Sequence, residues 1–235
     1  MAVGSEQTGS VGLKRIPMHV SRSLVAIALA VSSIIALEAQ TIPNVQLPPS
    51  PQGKSAVQLG GRWEKTAGAP RYVDGKWVVV DYGRPLLRGR TEIFGTRAEY
   101  GKVVSDGEPV WRMGANDSTQ FTTQVPLSIG GKTLQPGVYN AFAELKPGAW
   151  TLVLSTQPRQ PRFDPNEKVL LYGSYNYDPK FDVLRAPMSV RTSDTRVEQL
   201  TIGFVNVTAT SAVMQVMWET TVATIDLKLV TGGTQ

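Results

Sequence analysis

Residues 76–82 read KWVVVDY, an apolar run with β-branched residues at its centre and two alternating faces. Trp77, Val79 and Asp81 fall on one face and Val78, Val80 and Tyr82 on the other, which is the period of a half-buried strand. The same texture returns in AWTLVLS (149–155), in VMQVMWE (213–219) and in TIDLKLV (224–230), where Ile225, Leu227 and Leu229 share a face. Gly130-Gly131, Pro136-Gly137 and Pro147-Gly148 supply tight turns beside such runs. No stretch of roughly 11 residues keeps a convincing helical period, and prolines interrupt most candidates. Short strands joined by tight turns predict an all-β fold: an antiparallel two-sheet β-sandwich, of which the jelly roll is one form. Trp63, Trp77, Trp111, Trp150 and Trp218 are expected mainly as core wedges, because an indole buries a large apolar area. An exposed aromatic platform for sugar is the alternative.

Outward from these strands, the amino-terminal stretch has a different character. Lys14, Arg15 and Arg22 precede SLVAIALAVSSIIAL (23–37) and then EAQT, the tripartite pattern of a secretory signal peptide. The apolar part, Leu24 to Leu37, is 14 residues long, against the roughly 20 that a spanning helix needs. The expectation is therefore export, to the periplasm or the medium, with cleavage after Ala39. Leu37 stands where a smaller residue is usual, three before the cut, so an uncleaved anchor is the alternative. Met18 could also serve as the start, since MHVSRSLVAIALAVSS is a signal by itself. Residues 1–39 are thus read as leader and signal peptide, 40–55 (QTIPNVQLPPSPQGKS) as a proline-rich linker, and 56–235 as one β-sandwich domain.

Composition excludes several chemistries. The chain has no cysteine and one histidine, His19, which lies inside the leader. A Ser-His-Asp triad, a cysteine nucleophile and ordinary zinc, copper or haem ligation have no residues to use beyond the leader. No disulfide and no lipid-bearing cysteine is available either, so stability must come from packing. No cofactor and no metal site is expected: SDGEP (105–109) and NDS (116–118) both lack the spaced oxygen ligands of a calcium loop. The net charge of +5 is spread along the chain without runs, so no nucleic-acid partner is expected.

The densest chemistry is in DYGRPLLRGRTEIFG (81–95), with Arg84, Arg88 and Arg90, and in WRMGAN (111–116), with Arg112 and Asn116. Pro85 biases Arg84 toward an extended backbone, while Gly89, Gly95 and the Gly-Ala-Asn turn permit unusual angles. If these loops meet at one end of the sandwich, Arg84, Arg88, Arg90, Arg112 and Asn116 form a binding site for an anionic or polar ligand. The competing reading is a set of latches, in which the arginines pair with Asp81, Glu92 and Asp117 or with carbonyls. The same acids are the candidates for a glycoside-hydrolysing pair, which would require a separation of about 5–9 Å. No catalytic residue can be assigned from the sequence.

Several of these motifs occur together and in order: DYGRPLLRGRTEIFG, YGK (100–102), WRMGANDST (111–119), IGGKTLQPGVYNAF (129–142), WTLVLS (150–155), DVLR (182–185), and VEQLTIGF (197–204) followed by VMWE (216–219). This set resembles the secreted bacterial family known as domain of unknown function 2911, over about Pro48 to Val230. The resemblance implies a predominantly β, exported domain with no established activity. In that family YGK runs almost directly into WR, whereas here VVSDGEP (103–109) intervenes and lengthens the loop beside Trp111 and Arg112. The expected function is a module that binds a ligand or partner, either a small anionic or polar molecule or a component of the cell envelope. Its membrane contact would be limited to the signal peptide during export. A structural envelope protein is the alternative, and a carboxylate-dependent hydrolase of envelope or extracellular carbohydrate is the second alternative.

Overall fold

KWVVVDY is the body of strand β4, and its alternation survives intact: Val78, Val80 and Tyr82 are buried while Trp77 is exposed. It belongs to a computed structural model that describes residues 45–230. The leader, the cleavage point after Ala39 and the choice between Met1 and Met18 lie outside the described residues. The strands are β1 (Gln52–Leu59), β2 (Arg62–Glu64), β3 (Arg71–Val73), β4 (Lys76–Gly83), β5 (Thr119–Thr123), β6 (Leu127–Ile129), β7 (Lys132–Leu134), β8 (Gly137–Glu144), β9 (Trp150–Ser155), β10 (Asp182–Val205) and β11 (Ser211–Leu229). All pairings between them are antiparallel.

The fold is all-β, as expected, and its two layers are drawn from one ladder in the order β1-β4-β5-β8-β9-β10-β11-β6-β7. The start of β10, Asp182–Met188, pairs with β9, and the longer remainder, from Ser189, pairs with β11. One strand therefore serves both layers. The ladder does not close into a barrel, and β2 and β3 form a separate two-stranded sheet. The main apolar core joins Val57, Val80 and Phe121 of one layer to Ile202, Met214 and Val216 of the other, and a smaller cluster gathers Val110, Phe142, Val153 and Leu171. Gly130 and Gly131, both at positive φ, make the two-residue turn between β6 and β7, as their sequence predicts.

Strand β11 contains an irregularity with consequences for the site. Ala212, Met214, Val216 and Trp218 point into the core at even positions, whereas Ala223, Ile225 and Leu227 do so at odd ones. Register with β10 shifts between Thr192 and Val197, and Glu219 adopts a φ of 54°. Such a bulge moves the inward set by one residue and re-aims the side chain at the kink.

One expectation is corrected. Strand β1 starts at Gln52, inside the stretch read as linker. Its alternation is weak in composition because it is an edge strand whose order comes from backbone bonds to β4. Most of the tryptophans are core, as expected: Trp111, Trp150 and Trp218 are buried, while Trp63 and Trp77 are exposed.

Candidate functional site

The segment after β4 does not leave the sheet freely. Leu200 donates its N–H to Pro85 O at 3.0 Å, and Leu87 donates to Glu198 O at 2.9 Å, so the chain runs briefly alongside β10. Beyond that point carboxylates hold it. Glu198 accepts the N–H of Arg88 at 2.7 Å, and Glu219, aimed by the bulge, accepts those of Glu92 and Ile93 at 2.8 and 3.1 Å. Latching thus exists in one of its two expected forms: the loop arginines reach carbonyls, while the acids grip backbone amides in place of arginines. Asp81, read as an arginine partner, instead pairs with Lys54 at 3.0 Å.

Arg84 is half-buried; its Nε donates to Leu200 O at 3.2 Å and its Nη2 to Thr201 Oγ1 at 3.3 Å. Its stem lies across Gly53, where a Cβ would sit 2.3 Å from Arg84 Cδ. Arg84→Ala should therefore cost about 1–3 kcal/mol, the scale of lost hydrogen bonds and a stranded acceptor, measured by urea unfolding. A loss as large as that from an orphaned buried charge, about 3–5 kcal/mol, would contradict the assignment of neutral acceptors. Arg88, at a φ of 51°, and Asn116, at 65°, are both exposed on left-handed turns.

Arg90 and Arg112 do converge. Together with Asp106, Trp111 and Trp218 they border a cavity of about 230 Å³. Of the five expected binding residues, then, the cavity gathers Arg90 and Arg112, and Arg84, Arg88 and Asn116 lie outside its lining. Arg90 is positioned by its own turn, donating from Nε to Leu87 O at 3.0 Å and from Nη2 to Leu86 O at 2.7 Å. Its guanidinium stands 5.8 Å from the centre of the Trp218 ring, within cation–π range.

Arg112 is held differently. Its side chain is 17% exposed, yet its guanidinium makes no hydrogen bond to any described residue; Asp106 Oδ2 lies 3.4 Å from Nη2. That is longer than the 2.7–2.9 Å typical of a charge-assisted bond. Arg112 lies against Gly173, where a Cβ would come within 2.9 Å of Nη1 and where φ is +60°. The close approach and the backbone angle both require glycine there. The Nε of Arg112 and the Nε1 of Trp218 are buried without a hydrogen-bond partner. Two unpaired N–H donors therefore belong to residues that border the same cavity. Buried donors in native proteins are almost always matched, by protein groups or by ordered water, so the pair stands out in this core.

The loop VVSDGEP contributes Val103, Val104 and Asp106 to the wall, which is how the extra residues reshape the surroundings of Trp111 and Arg112. Asp106 also accepts from the Tyr175 hydroxyl at 3.3 Å. Burial first, and the Asp106 charge second, hold the neighbouring Glu108 carboxyl above its ordinary value. Glu92 and Asp117 are absent from the cavity wall, and Asp106 is its one carboxylate. The paired acids of a glycoside-hydrolysing site are therefore not assembled there. Sequence reasoning missed Asp106 and Trp218 as members of the site. The insertion before WR was the available signal for the first, and no local signal existed for the second.

A family described as "Protein of unknown function (DUF2911)" matches residues 63–227. No curated protein and no solved structure matches the chain.

Proposed function

The chain belongs to the DUF2911 family, whose function is unknown, and on that premise we propose that it is a binding module for a small anionic or polar ligand held between Arg90, Arg112 and Trp218. One observation carries this reading: two cationic side chains, Arg90 and Arg112, converge on one cavity beside the Trp218 ring. The cationic groups favour a ligand that carries acceptor oxygens and negative charge. The aromatic wall gives it a rigid floor, since Trp111 and Trp218 stack at 6.2 Å and 9°. An exported setting is part of the proposal and rests on the leader pattern before Ala39. Catalysis would need groups beyond this set.

The test is a thermal-shift screen of the purified chain against small anions, sugars and peptidoglycan fragments. A ligand at a hundredfold excess over its Kd stabilises by about 2.7 kcal/mol, a rise of roughly 5–10 °C for a domain of this size. Arg112→Ala should abolish the rise while costing less than about 1 kcal/mol of stability, because the residue's one ion pair is with a partly exposed aspartate. A flat response across the screen, or an undiminished shift in Arg112→Ala, defeats the proposal.

A further inference from the structure

We infer a second binding site, independent of the arginine cavity: an open aromatic groove that takes a neutral carbohydrate chain. Three segments form its walls, namely the end of β1 with Gln58, the β2–β3 pair with Arg62, Trp63 and Tyr72, and the turn after β10 with Val207 and Thr208. The groove measures about 780 Å³, against about 230 Å³ for the arginine cavity. Its walls expose more apolar than polar surface, which is the usual character of a small-molecule site.

The aromatic part is built by the register of the small sheet. Trp63 and Tyr72 stand directly opposite one another on β2 and β3, so both side chains leave the same face. Their rings meet edge-to-face, 5.4 Å apart at 65°. Tyr72 is fixed in place: its hydroxyl accepts the Gly61 N–H at 3.1 Å, and its ring lies directly against backbone on either side. A Cβ on Gly61 would come within 2.5 Å of Tyr72 Cε1, and one on Gly75 within 2.6 Å. Trp63 leans on this fixed ring, yet remains 70% exposed. Most of the indole therefore faces water, although its apolar area would favour burial. Trp63 is thus the tryptophan to which the sugar-platform alternative applies.

The polar groups beside the rings select for a neutral ligand. The carboxamide of Gln58, half-buried, makes no hydrogen bond to any described residue. The Tyr72 hydroxyl, which accepts from Gly61, keeps its own proton to donate. Arg62 is the one charged residue in the lining, and it is already matched by Asp74 and by Glu64, the latter at 2.6 Å. An anion would find no free cation here, unlike in the arginine cavity. An aliphatic chain would stay half in water, because the groove is open. A hexose whose hydroxyls are all equatorial, as in cellulose or chitin, suits both features. Its broad C–H face lies on the electron-rich face of an indole, and its rim of hydroxyls can exchange hydrogen bonds with Gln58 and Tyr72.

Isothermal titration calorimetry of the full chain tests this with four probes: cellotriose and triacetylchitotriose, which are neutral, trigalacturonate, which is anionic, and a decaproline peptide. The two neutral sugars are expected to bind wild type at least about tenfold tighter than the other two. Trp63→Ala should weaken them at least about tenfold, the scale of a central aromatic contact. Its melting temperature should stay within about 2 °C of wild type, since an exposed side chain changes stability little. Gln58→Ala should weaken them about three- to tenfold, the scale of a neutral hydrogen bond, and Arg112→Ala should leave them unchanged. Tightest binding of trigalacturonate or decaproline overturns the inference, as does the absence of heat with both neutral sugars in a chain that unfolds cooperatively. Sugar binding that survives Trp63→Ala and is lost in Arg112→Ala would move the sugar to the arginine cavity and overturn it too. So would a dimer in sedimentation that Trp63→Ala dissolves, which would assign the groove to a second copy. If Trp63→Ala fails to fold, the wild-type rank order and Gln58→Ala still decide.

Discussion

Trp111→Ala destabilises the protein by about 3–5 kcal/mol, the range for truncating a large buried aromatic side chain, and does so in equilibrium urea unfolding. Trp111 is 1% exposed and sits at the junction of an aromatic cluster. Its ring lies edge-to-face with Phe94 at 5.4 Å and with Trp150 at 5.8 Å, and parallel to Trp218 at 6.2 Å. Contacts of this kind add to the area that the indole removes from water. Its backbone is fixed as well, through two 2.8 Å hydrogen bonds with Ala143 on β8, so the surroundings cannot readily collapse into the space left behind. Trp111→Phe should recover a large part of the loss, since a second ring still touches Phe94 and Trp150. A loss under about 1 kcal/mol for the alanine variant would show that the cluster relaxes, contrary to the packing argument.

Glu219→Ala produces the second large effect, an expected loss of about 2–4 kcal/mol from two hydrogen bonds to a charged acceptor. The carboxylate is 14% exposed and accepts the amides of Glu92 and Ile93. Hydrogen exchange gives the sharper readout. Amides 88–95 should lose protection in the variant while those of β8 and β9 keep theirs, because the loop opens without the sheet. Uniform loss across the molecule would mean that the latch is part of the global core. Glu219→Gln separates charge from shape: one amide oxygen can replace one of the two acceptors, so an intermediate cost is expected.

The parts of this fold that could be read in the sequence are those where side chains alone reveal the structure. KWVVVDY alternates because one face of β4 meets the core and the other meets water, and Gly130-Gly131 marks its hairpin because both residues need positive φ. Strand β10 was opaque for the opposite reason. Between Arg191 and Gln199 it is mostly polar and exposed, and it meets β11 at Arg191, Thr192 and Val197 across register shifts, to which the side-chain pattern gives no clue. The site shows the same division. Arginines beside glycine-rich turns could be picked out locally, and Arg90 and Arg112 do meet. That Arg84 would be spent on the Leu200 carbonyl, and that Trp218 would complete the cavity from β11, depend on long-range packing. Glu219 was invisible as a latch because its partners are backbone amides, which every residue except proline carries.

The sharing of β10 between layers has a consequence for how the molecule is made. Tyr82 exchanges hydrogen bonds with Ile202 across 120 positions of chain, 3.1 Å to its carbonyl and 2.9 Å from its amide. Until β10 and β11 exist, β1 and β4 have no opposite face to cover them, so no amino-terminal fragment can seal its own core. Closing so long a loop carries a large entropic cost before any contact offsets it, which places folding in the slow regime of non-local β topologies, about milliseconds to seconds. The nascent protein must therefore remain open until its carboxyl-terminal strands arrive, and then both layers form in one event.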